Sequence, residues 1–208
     1  EALEYSHRAG VVHRDIKPGN VMITEADQVK VMDFGIARAV SDSSSTVAET
    51  THILGTAAYF SPEQAKGDPV DARADLYSTG VVLYELLSGK QPFRGETPVA
   101  IAYQHVSETP VAPSEINESV PRSLDAIALR ALAKDPYQRY QDAAGFREAL
   151  DATVDGKAPS KRQVGALTSE LYGPNPRQAA ETARSLRQLS TDTTMKRTQP
   201  GPPIAWIW

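Results

Sequence analysis

Asp15, Lys17 and Asn20 stand in the stretch His13-Arg14-Asp15-Ile16-Lys17-Pro18-Gly19-Asn20, and a further carboxylate, Asp33, opens Asp33-Phe34-Gly35. A proton acceptor, a cation, an amide oxygen and a second carboxylate are the groups needed to move a phosphoryl group. Such a transfer passes through a loose transition state whose charge spreads over the phosphate oxygens, so a protein serves it by positioning reactants and neutralising charge. Asp15 suits the acceptor of the attacking hydroxyl's proton, and Lys17 can lie beside the phosphoryl group. Asn20 and Asp33 offer the hard oxygens that magnesium prefers, an ion that keeps several waters and draws other ligands from phosphate.

Groups spread from position 15 to 33 need elements that hold them together. Val21-Met22-Ile23 and Val29-Lys30-Val31-Met32 are short β-type runs joined by Thr24 to Gln28, and they predict a hairpin with Asn20 at one end and Asp33 at the other. Ahead of it, Glu1 to Ala9 is rich in helix formers, has no N-cap and is stopped by Gly10; it reads as the last turns of a helix that starts upstream of residue 1. The most apolar helix is predicted over Ala74 to Ser88, where Leu76, Tyr77, Val81, Val82, Leu83, Tyr84, Leu86 and Leu87 leave few solvent faces. It should be buried nearly all round, close at Gly89 and form the central post of the fold. Amphipathic helices are expected over Val99 to Val106, Leu124 to Leu132 and Tyr140 to Leu150, with a turn at Lys90-Gln91-Pro92-Phe93. Residues 36–60 contain a Ser-rich run, Ser41 to Thr46, and then Val47-Ala48-Glu49-Thr50-Thr51 with little apolar periodicity, the pattern of a surface loop.

Composition sets outer bounds. The chain has 208 residues, 40% hydrophobic and 23% charged, ordinary for a globular protein. It has no cysteine, so disulfide frameworks and cysteine zinc sites are excluded, and its four histidines show no metal-ligand spacing. Residues 1–152 carry 14 basic and 22 acidic residues, a balance of −8, whereas residues 153–208 carry 8 basic and 4 acidic, a balance of +4. Neither part has the clustered Lys/Arg with interleaved aromatics that nucleic-acid binding needs.

The eight-residue loop with Asp-Phe-Gly at this distance resembles the protein-kinase catalytic loop and magnesium-binding turn, and Lys17 after Asp15 resembles the Ser/Thr-specific branch. Val31-Met32-Asp33-Phe34-Gly35-Ile36-Ala37-Arg38 and Tyr59-Phe60-Ser61-Pro62-Glu63-Gln64-Ala65 extend the likeness, from Glu1 to about Leu150, to bacterial transmembrane Ser/Thr kinases of the PknB type. The resemblance implies a mainly α (α+β) fold, the kinase-like C-terminal lobe, helical with a short β-hairpin, over residues 1–152. It implies ATP with magnesium, or manganese in its place, and Ser/Thr hydroxyls of proteins as acceptors. Asp15, Lys17 and Thr56 take the catalytic roles, with Thr56 of Gly55-Thr56 bridging Asp15 and Lys17; Lys17, Asn20 and Asp33 face the nucleotide, and Asn20 and Asp33 the metal. His13, Arg14, Phe34 and Gly35 belong to the supporting frame. Residues 36–60 become the activation segment, with Thr50 and Thr51, and Thr46 behind them, as autophosphorylation sites whose phosphate would pair with Arg14. Ser61-Pro62-Glu63 stands where the family has Ala-Pro-Glu, Glu63 is the partner of Arg139, and Asp75 anchors the backbone of the catalytic loop.

The family's Gly-rich loop, strand Lys and helix Glu do not occur in these 208 residues. The resemblance places them in an N-terminal lobe upstream, through which the family commonly dimerises, and the 208 residues alone are expected to be inert and to carry a bare face where that lobe sits. From Thr153 the core pattern fades. Residues 153–203, broken by Pro159, Pro174, Pro176, Pro200, Pro202 and Pro203, are expected to be a mostly disordered juxtamembrane linker with a short helix around Gln178 to Leu189. Residues 204–208, Ile-Ala-Trp-Ile-Trp after Lys196-Arg197, look like the first turns of a membrane span with basic residues on its cytoplasmic side. That layout gives a cytoplasmic kinase domain on a single-pass plasma-membrane protein in bacterial signalling. Two other readings are a pseudokinase or docking module and a small-molecule phosphotransferase; intact Asp15, Lys17, Asn20 and Asp33 argue against the first, and the polypeptide-gripping segment at Gly55-Thr56 and Ser61 to Glu63 against the second.

Overall fold

Asp71 begins the central helix, α3: its side chain accepts the N–H of Arg73, and the helix runs Ala72–Ser88 until Gly89 turns left-handed at φ 71°. The computed structural model describes residues 1–34, 55–153 and 161–173, which belong to one folded unit, Glu1–Gly173. In chain order these are α1 (Ala2–Arg8), strands β1 (Val21–Ile23) and β2 (Val29–Val31), α2 (Pro62–Lys66), α3, α4 (Pro98–Ser107), α5 (Pro113–Ile116), α6 (Arg122–Ala131), α7 (Ala143–Ala152) and α8 (Lys161–Tyr172).

The core forms on both sides of α3. Leu76 packs with Ile127, Ala131, Tyr140 and Phe146, and Tyr77, Val81 and Tyr84 pack with Leu132. Tyr140 and Phe146 stack at 4.8 Å between centroids, so the segment before α7 is held to it by aromatic overlap. Gly80 has a packing reason: a Cβ there would lie 2.6 Å from Ala131 Cβ, so α3 and α6 cross where neither side offers bulk. The expectation of a helix buried all round holds for the first three turns and fails in the last, where Leu86 is 79% exposed. An amphipathic α6 covers the other side of α3, and nothing in the described residues covers Leu86.

The two strands pair antiparallel with Val21 opposite Val31, Met22 opposite Lys30 and Ile23 opposite Val29. Beyond the ladder, Met32 N–H donates to Asn20 O at 2.8 Å, which brings the chain entering Asp33 against Asn20. Met22, Ile23 and Val29 are exposed, so backbone pairing and not burial holds this hairpin in the described residues.

Residues 161–173 depart from the sequence expectation of a disordered linker. Lys161–Tyr172 forms a helix, with Val164 7% exposed and the Tyr172 hydroxyl donating to Leu129 O at 2.8 Å. A polar average conceals two anchors in register, and the folded unit runs on to Gly173. The helix expected at 178–189 and the apolar end at 204–208 lie outside the described residues. Among the described residues, no helix is long and apolar enough to cross a membrane.

Candidate active site

The reaction loop is suspended from a buried carboxylate. α1 ends as Val11 N–H reaches back to Ser6 O and Gly10 takes φ 75°, a Schellman-type close that turns the chain toward α3. There Asp75, 1% exposed, accepts His13 N–H on Oδ2 and Arg14 N–H on Oδ1, both at 2.7 Å. His7 Nε2–H donates to the same Oδ2 at 2.8 Å. Arg14 sits at φ 65°, a left-handed conformation that costs a non-glycine residue on the order of 1 kcal/mol or more. The charge-assisted bonds to Asp75 offset it. Gln64 Nε2 adds a bond to Arg14 O at 2.7 Å.

His13 ties this loop to the second carboxylate. Its fully buried ring donates Nε2–H to Met32 O at 2.9 Å and accepts Asp15 N–H on Nδ1 at 3.2 Å. Only the neutral imidazole does both. Its ring lies 4.8 Å from that of Phe34, so Asp33 is fixed on both sides, by Met32 and by Phe34.

Lys17 Nζ donates to Asp15 Oδ2 at 2.8 Å and to Thr56 Oγ1 at 3.3 Å. Thr56 meets the ammonium and not Asp15 itself, so the expected bridge between Asp15 and Lys17 runs through Nζ. Asn20 spends its amide nitrogen on Asp15, donating to the backbone O at 2.8 Å and to Oδ2 at 3.1 Å. Among the described residues that orientation leaves the Asn20 amide oxygen and Asp15 Oδ1 without a hydrogen-bond partner. Asp33 is exposed, at φ 53°. One exposed carboxylate and one amide oxygen fit magnesium held jointly with phosphates. No group of three or more His, Asp or Glu that could hold a metal alone occurs among the described residues.

The segment that carries Thr56 is seated from below. Thr56, Ala57 and Ala58 are buried, and Ala58 O accepts His105 Nε2–H at 3.0 Å while His105 Nδ1 accepts the Tyr77 hydroxyl at 2.9 Å. Burial, with the Lys134 ammonium nearby, pushes the His105 pKa down to about 3. Tyr59 donates its hydroxyl to Glu85 Oε2 at 2.6 Å and accepts Gln91 Nε2; burial and that carboxylate raise its pKa to about 12. Ser61 then caps α2 through Gln64 N–H at 3.3 Å while Gln64 Oε1 accepts Ser61 N–H at 3.0 Å. This reciprocal box gives Ser61 a physical reason to stand where the family has Ala.

Glu63, in α2, meets Arg139 through two bonds of 2.7 Å. Gly35, Thr46, Thr50 and Thr51 lie outside the described residues. The other expected site residues converge: His13, Arg14, Asp15, Lys17, Asn20, Asp33 and Phe34 around the loop, Thr56 across from Lys17, Asp75 beneath. Sequence reasoning missed His7, Gln64 and His105. A Ser-x-x-Gln capping pattern at Ser61 was the one available signal for Gln64; the two histidines carry none, because their partners are distant in sequence.

Residues 1–152 match the protein kinase domain family. A probable serine/threonine-protein kinase of Streptomyces coelicolor is 55% identical over 184 residues, covering 88% of this chain and 27% of its own length. The serine/threonine-protein kinase PknB of Mycobacterium tuberculosis is 53% identical over 164 residues, covering 79% of this chain and 26% of its own, and a probable PknB of Bifidobacterium longum is 48% identical over 203 residues, 98% and 29%. The chain thus spans little more than a quarter of the length of these curated relatives. Among solved structures, a mutant PknI kinase domain of M. tuberculosis superposes with a TM-score of 0.53 at 28% identity, covering 74% of this chain and 50% of that one. With a helical lobe around Asp75, a two-stranded hairpin and a family match across three quarters of its length, the chain belongs to the protein kinase domain family.

Proposed function

We propose that this chain is the C-terminal lobe of a Ser/Thr protein kinase that transfers the γ-phosphate of ATP to protein hydroxyls. The supporting observation is the Asp15–Lys17–Thr56 arrangement, with Nζ 2.8 Å from the carboxylate and 3.3 Å from the hydroxyl, on a loop whose backbone Asp75 fixes. Asp15 accepts the proton of the Ser or Thr hydroxyl as its oxygen bonds to the γ-phosphorus and the bond to ADP breaks. Lys17 balances the charge on the transferring group and holds Asp15 in place. Thr56 aligns Lys17 from the acceptor side. Asn20 and Asp33 would hold magnesium, which when bound neutralises phosphate charge.

Arg14 is exposed and its backbone is tied down, which suits a receiver for phosphate on Thr50, Thr51 or Thr46. Autophosphorylation there, a cytoplasmic kinase domain on a single-pass membrane protein, and dimerisation through the family's N-terminal lobe complete the reading.

Assay of the enzyme that contains this chain tests it, with labelled ATP and a generic protein acceptor. Asp15→Asn should lower kcat by about 10²–10⁴-fold. Labelling of sugars or aminoglycosides instead of protein would favour a small-molecule phosphotransferase, and nucleotide binding without turnover a docking module. Phosphopeptide mapping that finds phosphate only beyond residue 152 would overturn the assignment of Thr46, Thr50 and Thr51.

A further inference from the structure

The helix α8 reaches the acceptor side of the site through a short series of contacts. Tyr172 donates its hydroxyl to Leu129 O at 2.8 Å in α6. Its ring lies 5.9 Å from Lys134 Nζ, which sits over the Phe93 ring at 4.3 Å. That ammonium donates to His105 O at 2.8 Å and to Gln104 O at 3.3 Å in the last turn of α4, where Gln104 O also accepts the Glu108 N–H at 2.9 Å. His105 is held further by Phe93, ring to ring at 5.0 Å. From there its Nε2–H reaches Ala58 O, two residues after Thr56, which Lys17 touches.

Each link has a physical reason to be stiff. His105 is fully buried with both nitrogens bonded, so it cannot turn without breaking one. Lys134 is desolvated and gains from carbonyl and ring contacts together. Tyr172, half-buried, is held on α6 by the hydroxyl bond, and Val164 earlier in the same helix is buried.

We infer that Tyr172 and His105 are positioning residues: α8 is a strap of the lobe that holds the end of α4, and α4 in turn holds the Gly55 to Tyr59 turn against Lys17. The inference rests on reading that turn as the acceptor-facing part of a kinase, but its first test does not depend on turnover. The strap lies beyond the residues matched to the kinase family, at the root of the basic segment that follows.

Hydrogen exchange on the 208-residue chain reads the coupling directly. Tyr172→Ala should speed exchange roughly tenfold in α8, at residues 104–108 and at 55–60, leaving α7 (Ala143–Ala152) unchanged. Tyr172→Phe, which loses only the hydroxyl, should show the same pattern at smaller amplitude. It decides the matter if Tyr172→Ala loosens every helix. Faster exchange confined to residues 161–173 in either variant would overturn the proposal, as would wild-type α8 amides exchanging at the rate of an open chain. In the longer enzyme Tyr172→Phe should raise KM for a protein acceptor several-fold with KM for ATP unchanged. An inactive wild-type enzyme would fail the kinase reading and leave the exchange result standing.

Discussion

Arg139 and Glu63 face each other as a two-pronged pair, Nη1 to Oε1 and Nη2 to Oε2, each at 2.7 Å, with Arg139 fully buried. The remaining donors of the guanidinium are also used: Nε on Ala133 O at 2.7 Å, and the second hydrogens of Nη1 and Nη2 on Arg73 O and Lys134 O, both at 3.1 Å. Its Cζ lies 4.8 Å from the centroid of the Tyr77 ring. Buried pairs add little net stability over an apolar pair of the same shape, but removing one partner strands a charge and costs about 3–5 kcal/mol. Arg139→Ala should therefore lower the melting temperature of the lobe sharply in a cooperative transition. Arg139→Met combined with Glu63→Leu should recover the part due to the stranded carboxylate, while the carbonyls of Ala133, Arg73 and Lys134 stay without their donor. An unchanged melt of Arg139→Ala would contradict the pair's role in joining α2 to the turn before α7.

Gly80→Ala offers a test of the crossing between α3 and α6. Alanine gains about 1 kcal/mol in intrinsic helix propensity, whereas an overpacked contact costs about 1–3 kcal/mol. With 2.6 Å between the new Cβ and Ala131 Cβ, the clash should win and denaturant melts should show net destabilisation. Pairing it with Ala131→Gly should restore the loss.

His105 should make the lobe acid-sensitive. Its folded pKa of about 3 lies below the ordinary 6.5, so the unfolded chain binds a proton that the folded chain refuses. The corresponding stability is complete above pH 6.5 and is lost progressively as pH falls toward 3. By pH 4 the loss from this group amounts to about 3 kcal/mol. Urea melts of wild type and His105→Gln between pH 7 and 4 should diverge in slope, the variant being weaker at neutral pH and flatter in acid. Parallel slopes would show that the imidazole titrates alike in both states.

Calorimetry with magnesium and ATP on the 208 residues should detect no binding tighter than about 1 mM, which corresponds to roughly 4 kcal/mol. Asn20 and Asp33 supply two oxygens and Lys17 one cation, and no Gly-rich loop is present in these residues to close over the phosphates. Tighter binding abolished by Asp33→Asn would show that the lobe keeps a working nucleotide site by itself.

The loop chemistry was legible because it is contiguous: Asp15, Lys17 and Asn20 are six positions from end to end, and the hairpin that returns Asp33 follows from two β-type runs and a short turn. Arg139 and Asp75 were legible only through resemblance, since their partners lie more than sixty residues away. The sequence around His105 carries no signal of its role; its use as a spacer depends on Tyr77 and Ala58 arriving from two other elements. The composition of residues 161–173 points to a mostly disordered linker because the order of α8 rests on Tyr172 reaching Leu129 O in α6 and on burial of Val164, not on the composition of the segment. Apolar pattern alone places Leu86 in the core, although the described neighbours of α3 leave this side chain open.

The side chain of Gln64 ends in one amide with two opposed jobs. Its oxygen closes the first turn of α2 on Ser61 N–H, and its nitrogen grips Arg14 O in the reaction loop. Glutamate is the commoner partner in a capping box, and here it would finish the helix equally well while setting a negative oxygen against the Arg14 carbonyl. At this one position the grammar of helix initiation and the geometry of the reaction loop therefore part company: an acid satisfies the first, and only an amide satisfies both. Folding of α2 and the setting of Asp15 are written in the same side chain, so a kinase lobe of this design can lose its aim without losing its helix.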